Sequence, residues 1–232
     1  MKTVLIDFNT RVQEVNDYFI FLETLIQKTT KLAVVNSEGK YKIQSLDSEL
    51  AKTLKANGFL LLYNLVESTM RNAIEAIFDE FRIQGISFDK IKPEIKITVL
   101  QNLQTCFKNS SAKKLNSKLS QISVDIITAT FEREKIFSGN VDAKVIREIA
   151  EKYGFSCRTD CSKTKNGQNL LVVRENRNDL AHGIKSFEEV GRDKTIEELL
   201  EIKGEVVEYL RQILENIQDY LDKQEYLDSS IF

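Results

Sequence analysis

The chain is 232 residues long, with 33 lysines plus arginines against 35 aspartates plus glutamates and a formal net charge of −2. That length suits one large domain or at most two small ones, and the 42% hydrophobic and 29% charged content of nearly balanced sign excludes both a disordered chain and a strongly basic nucleic-acid coat, leaving room for a local basic patch. The single histidine, His182, excludes three-histidine zinc sites and His-x-x-x-His metalloproteases built within one chain.

Glycine is scarce and proline occurs once, so long helices are expected. The first spans Val4 to Gln27, where Val4, Leu5, Phe8, Val12, Val15, Phe19, Leu22 and Ile26 recur mostly at steps of three and four. From Lys31 to Ile43, apolar residues flank Asn-Ser-Glu-Gly, which predicts a small hairpin near 31–44. Ser48 to Gln84 carries a continuous apolar face with a kink expected near Asn57-Gly58, and its stretch Phe59 to Val66 is apolar nearly all round, as befits the most buried helix. Asp89 to Phe107 is predicted helical with Pro93 in its first turn, and Lys113 to Phe137 forms a further helix. A short helix from Asp142 to Tyr153 stops at Gly154, and the Lys-rich, cysteine-bearing run Phe155 to Gly167 is expected to be a surface loop. Gln168 to His182 is a helix ended by Gly183, and a long C-terminal helix extends from Thr195 to Gln224 with an apolar stripe wide enough for a bundle. With no repeat, low-complexity tract or linker, the expectation is an all-α chain forming a single domain, 1–232.

Cys106, Cys157 and Cys161 are odd in number, Met1 to Asp7 is too short for a signal sequence, and no apolar run is long enough to span a bilayer. A cytoplasmic protein with free thiols and no membrane association is expected. Cys157-x-x-x-Cys161 has the wrong spacing for a zinc knuckle, and no Gly-x-Gly-x-x-Gly or Walker sequence is present, so no metal and no cofactor is expected.

The run Val173-Arg174-Glu175-Asn176-Arg177-Asn178-Asp179-Leu180-Ala181-His182-Gly183 gathers the only imidazole, two guanidiniums and two carboxylates. Arg177 and His182 are five positions apart, roughly 140° around a helix. A long arginine still reaches towards a histidine one turn on. Such a pair suits phosphate chemistry, since arginine holds phosphate bidentately and histidine exchanges a proton near neutral pH. In RNA the 2′-hydroxyl lies beside its own 3′-phosphate, so a base and a cation suffice without metal. The plainer alternative is that His182 merely ends a helix, where a basic side chain interacts with the dipole.

Arg-Asn-Asp-Leu-Ala-His-Gly resembles the Arg-x(4–6)-His signature of HEPN domains, in which a polar residue commonly follows the arginine. Together with Leu61-Leu62-Tyr63-Asn64-Leu65-Val66-Glu67-Ser68-Thr69-Met70-Arg71 and Ser186-Phe187-Glu188-Glu189-Val190-Gly191-Arg192, it resembles the MAE-like family of HEPN proteins. That resemblance implies a HEPN-like antiparallel helical bundle that forms a homodimer, with two Arg-x(4–6)-His motifs meeting in a cleft. It implies a metal-independent endoribonuclease of a defence or toxin–antitoxin system, leaving 2′,3′-cyclic phosphate ends, with an antitoxin or other defence-system partner. Arg177 would contact the scissile phosphate, His182 would act in proton transfer or orient the phosphate, and Asn178 matches the polar position after the arginine. The tyrosine that some HEPN toxins carry two residues beyond the histidine is replaced here by Ile184. The alternative function is a non-catalytic helical module for dimerisation or partner binding, with Arg177 and His182 holding the interface.

Supporting positions follow. Asn64, Glu67 and Arg71 share one helical stripe, either as an ordinary i, i+4 Glu–Arg pair or with Glu67 orienting the motif. Asp179 lies within the motif itself. Arg174, Lys163 and Lys165 are candidates for steering RNA, the two lysines being otherwise simply solvated.

Overall fold

The computed structural model describes residues 1–27, 30–35, 37, 39–108, 119, 122, 125–129, 131, 137 and 139–229. Apart from one hairpin, the regular structure among them is helical. Helix α1 (Lys2–Ile26) buries Phe8, Val12, Val15, Phe19 and Leu22, the stripe its spacing predicts. Strands β1 (Leu32–Val35) and β2 (Tyr41–Gln44) pair antiparallel, with Leu32 opposite Gln44 and Val35 opposite Tyr41. Helix α2 (Ser48–Ile83) runs unbroken through Asn57-Gly58, where a kink was expected. Gly58 serves a packing need instead: a Cβ there would stand 3.0 Å from Cζ of Phe19, so glycine lets the two helices approach.

A 3₁₀ turn (Phe88–Lys90) precedes α3 (Pro93–Lys108), which Pro93 begins rather than interrupts. The expected helix Lys113 to Phe137 lies largely outside the described residues; within it, Ile126–Ala129 is helical (α4). Helix α5 (Ala143–Tyr153) starts where Asp142 accepts a hydrogen bond from the Val145 N–H at 2.9 Å and stops at left-handed Gly154, φ 79°. The run expected to be a loop is partly built: after buried Phe155 come α6 (Cys161–Thr164) and a 3₁₀ turn (Lys165–Gly167). Exposed Lys163 and Lys165 make the segment polar on average, while Thr164 between them is fully buried. Helices α7 (Gln168–Ala181), α8 (Phe187–Arg192) and α9 (Ile196–Asp222) complete the chain.

Residues divide between two compact units. One comprises Met1–Leu5, Glu67–Asp160 and Leu210–Phe232. Its core is aromatic: Phe78 meets Tyr153 edge-on at 5.7 Å, Phe81 lies 4.9 Å from Tyr226, and the Tyr220 hydroxyl donates to the Tyr153 carbonyl. The other comprises Ile6–Val66 and Cys161–Tyr209, with Phe19, Phe59, Leu62, Val173, Val190 and Val206 fully or almost fully buried. This second unit contains the whole Arg177-to-His182 run.

Candidate active site at the end of helix α7

Helix α7 begins at left-handed Gly167 and buries Leu170, Val173 and Leu180. A second stripe, Leu171, Glu175, Asn178 and His182, follows at steps of four, three and four, and it faces outward: Leu171, Glu175 and His182 are exposed and Asn178 is half-buried. The helix closes on His182 as its C-cap (φ −95°, ψ 0°), followed by Gly183 at φ +66°. The Ile184 N–H donates to the Asp179 carbonyl at 2.8 Å and the Gly183 N–H to the Leu180 carbonyl at 3.3 Å, the two bonds of a Schellman cap. The His182 N–H donates to the Asn178 carbonyl at 3.0 Å, so the backbone carrying the imidazole is fixed on both sides while its ring faces solvent.

Asp179 anchors the turn twice. Its carbonyl accepts from the N–H groups of Ile184 and Lys185, and its carboxylate pairs with the Lys185 ammonium at 2.8 Å. The hydrogen bond that the Lys185 ammonium donates to Asp179 raises the Lys185 amine above its ordinary value, so that charge belongs to the turn.

Arg177 is half-buried, with its guanidinium carbon 3.6 Å from the centroid of the Tyr63 ring. Tyr63 is only 5% exposed and projects from the most buried stretch of α2, where Phe59 and Leu62 are fully buried. A guanidinium carbon so close over the ring is at the distance of a cation–aromatic stack, which uses the face of the cation and leaves its in-plane donors to other partners. The Nε atoms of Arg177 and Arg174 and the amide oxygen of Asn178 are buried. Arg174, one turn earlier, places Nη2 3.6 Å from the Glu175 carboxylate.

Asn64 follows Tyr63 on α2, and its Oδ1 accepts from Arg11 Nη1 at 3.2 Å; Arg11 Nε in turn donates to Asp7 at 2.8 Å. The fold thus joins α1, through Arg11, to the Tyr63-Asn64 step. Neither Arg11 nor Tyr63 was among the candidates from the sequence. The only local signal for Arg11 was its i, i+4 relation to Asp7, and a tyrosine in an apolar helix is indistinguishable from ordinary core.

Glu67 and Arg71 belong to the other unit, where they pair with each other at 2.5 Å, and the Arg71 guanidinium lies 5.7 Å from the Phe137 ring. This is the ion pair their spacing alone predicts. Lys163 is exposed. Lys165 bridges Glu201 at 2.6 Å and Glu205 at 2.7 Å, and the hydrogen bonds it donates to those carboxylates hold its amine well above the usual range. Its charge is therefore balanced within the chain. The three cysteines form no disulfide, and among the described residues no cluster of three His, Cys, Asp or Glu side chains is placed to hold a metal ion.

The described residues contain no helix long and apolar enough to cross a membrane. Chemically, the end of α7 offers a stacked guanidinium and, five residues on, a solvent-facing imidazole on a pinned turn. In comparison with known proteins, residues 1–226 match a family model described as HEPN_MAE_28990-like HEPN. No curated protein and no solved structure matches the chain.

Proposed function

The chain belongs to the HEPN_MAE_28990-like HEPN family, and from that membership we propose that it is a metal-independent endoribonuclease with Arg177 and His182 as its catalytic residues. HEPN domains are often endoribonucleases and commonly dimerise and act on RNA, usually as defence or toxin modules. The observation that carries the reading to this chain is the end of α7: Arg177 stacked on Tyr63 and His182 exposed on a Schellman-capped turn.

The chemistry follows from the substrate. The RNA 2′-oxygen attacks its own 3′-phosphorus, forming one P–O bond while the P–O5′ bond breaks. One imidazole takes the 2′-hydroxyl proton, and an imidazolium gives a proton to the departing 5′-oxygen. The Arg177 guanidinium holds the non-bridging oxygens as negative charge builds on them. Two imidazoles can serve the two proton transfers as separate base and acid, and in this reading a chain with one histidine draws the second from another copy. The outward stripe Leu171, Glu175, Asn178 and His182 suits a homodimer that brings two copies of the motif together. Asn178 and Asp179 hold the His182 turn in this reading, through the Asn178 and Asp179 carbonyls. Asn64 ties Arg11 of α1 to α2, the Glu67–Arg71 pair braces α2, and Arg174 and Lys163 supply positive charge for the RNA strand. Action within a cytoplasmic defence or toxin–antitoxin system, with an antitoxin or defence-system partner, belongs to the same proposal.

The test is purified protein with RNA in EDTA. Wild type cuts, Arg177→Ala and His182→Ala do not, and light scattering returns twice the 26.7 kDa chain mass. A folded dimer that leaves RNA intact points instead to the non-catalytic module, and a strict monomer at micromolar concentration removes the composite cleft.

A further inference from the structure

The stack of Arg177 on Tyr63 has a consequence that the spacing of Arg177 and His182 does not express. Tyr63 sits where α2 is most enclosed: Leu62 is fully buried and Leu65 and Val66 are each 1% exposed. A ring itself only 5% exposed is held by interior packing as a fixed plane. The guanidinium carbon lies 3.6 Å from its centroid, within contact distance for a flat stack, whereas Arg71 stands 5.7 Å from the Phe137 ring. An arginine side chain brings considerable rotamer freedom to any site, and a rigid plane against its face removes part of that freedom before a ligand arrives. Stacking uses the face of the cation and hydrogen bonding to an oxyanion uses its edge, so the two functions do not compete.

We propose that Tyr63 is a positioning residue of the site: its ring fixes the plane of the Arg177 guanidinium, so that the edge donors meet a phosphodiester already oriented for the charge that develops on it. This role rests on the ribonuclease reading. Tyr63 itself needs no contact with RNA. Donors fixed in advance cost no reorganisation during reaction, and a displacement of an ångström in such a group is enough to slow chemistry on the order of a hundredfold.

Tyr63→Leu removes the ring and Tyr63→Phe keeps it. With a short RNA, Tyr63→Leu lowers kcat on the order of tenfold or more with KM little changed, and Tyr63→Phe recovers most of the loss. In an Arg177→Lys background Tyr63→Leu removes nothing further, because the ring acts through the guanidinium. A second readout needs no RNA: the Arg177 Nε–Hε resonance in NMR is ring-shifted in wild type and Tyr63→Phe and returns to its ordinary position in Tyr63→Leu. If Tyr63→Leu does not fold, Tyr63→Met, whose flexible side chain fills irregular space, takes its place. The inference is overturned if a folded ringless variant cuts as wild type does, if Tyr63→Phe loses as much as Tyr63→Leu, or if the resonance ignores the ring. A wild type that cuts no RNA but shows the ring-dependent resonance refutes the ribonuclease reading and leaves the platform standing.

Discussion

Gly191 and Gly204 are thirteen residues apart in the same unit, and replacing each by alanine is expected to move stability in opposite directions. A Cβ at buried Gly191, on α8, would stand 2.5 Å from the backbone carbonyl carbon of Lys52 and 2.8 Å from its Cα. Ordinary contact begins at 3.4 Å, so relief requires α8 to retreat by about 0.9 Å from that carbon, and by more from its oxygen. The obstacle is helix backbone in α2, which cannot step aside like the end of a side chain. Retreat also weakens the 3.0 Å ion pair between Lys52 and Glu188 and opens the cover over fully buried Val190. Overpacking alone costs about 1–3 kcal/mol and exposing a valine about 1.5–3 kcal/mol, so a total of about 3 kcal/mol is expected for Gly191→Ala. At Gly204, exposed on α9, a Cβ meets nothing within 4 Å and the backbone is helical; alanine there stabilises by about 0.5–1 kcal/mol. Urea unfolding followed by circular dichroism measures both, and with m of about 1–3 kcal/mol/M the Gly191→Ala midpoint falls by roughly 1–3 M. Hydrogen exchange at the α8 amides reports whether the loss is local undocking or global. A Gly191→Ala midpoint within about 0.2 M of wild type, with α8 amides equally protected, refutes the argument from close approach.

Gly183→Ala meets no steric obstacle but must hold φ near +66°, so it should cost about 1–2 kcal/mol and loosen the Ile184-to-Asp179 hydrogen bond; amide exchange at Ile184 reads the second effect directly. Lys165→Ala leaves the mostly buried Glu205 carboxylate without its cation, so a modest loss of melting temperature with unchanged RNA affinity is expected in thermal melts and anisotropy titrations. Burial pushes the Tyr18 hydroxyl, which donates to the Leu54 carbonyl, up to about 12. A folded value above the unfolded one, about 10, means that the neutral phenol's contribution is complete below pH 10 and is lost as pH rises through 12. Chemical denaturation across that window should show a shallower decline for Tyr18→Phe than for wild type.

The helices were legible because burial imposes its own period on a sequence. Phe8, Val12, Val15, Phe19 and Leu22 can face one core only if the backbone is helical, and Asp142 and Gly154 mark the ends of α5 through requirements local to a turn. Helix α8 was not among the expected helices, although its start is marked locally by Ser186 and Glu189, whose side chains and backbones cap each other reciprocally. Thr164 escaped notice because one buried residue between two exposed lysines has no period to reveal it. The Arg177-to-His182 motif is contiguous, so it could be read directly. Its ring partner could not: Tyr63 lies more than a hundred residues earlier, and only the packing of α7 on α2 turns a core-like tyrosine into the surface on which Arg177 rests. The link from Arg11 to Asn64, 53 residues apart, was hidden for the same reason.

In the proposed reaction the RNA's own 2′-oxygen does the chemistry under the control of Arg177 and His182. Its most direct test is the end groups of fragments made by purified protein in EDTA. The expected fragments carry 2′,3′-cyclic phosphate on one side of the cut and 5′-hydroxyl on the other, and both ends are absent when Arg177→Ala or His182→Ala replaces wild type. Fragments ending in 5′-phosphate and 3′-hydroxyl, or cyclic ends that persist in both variants, contradict it.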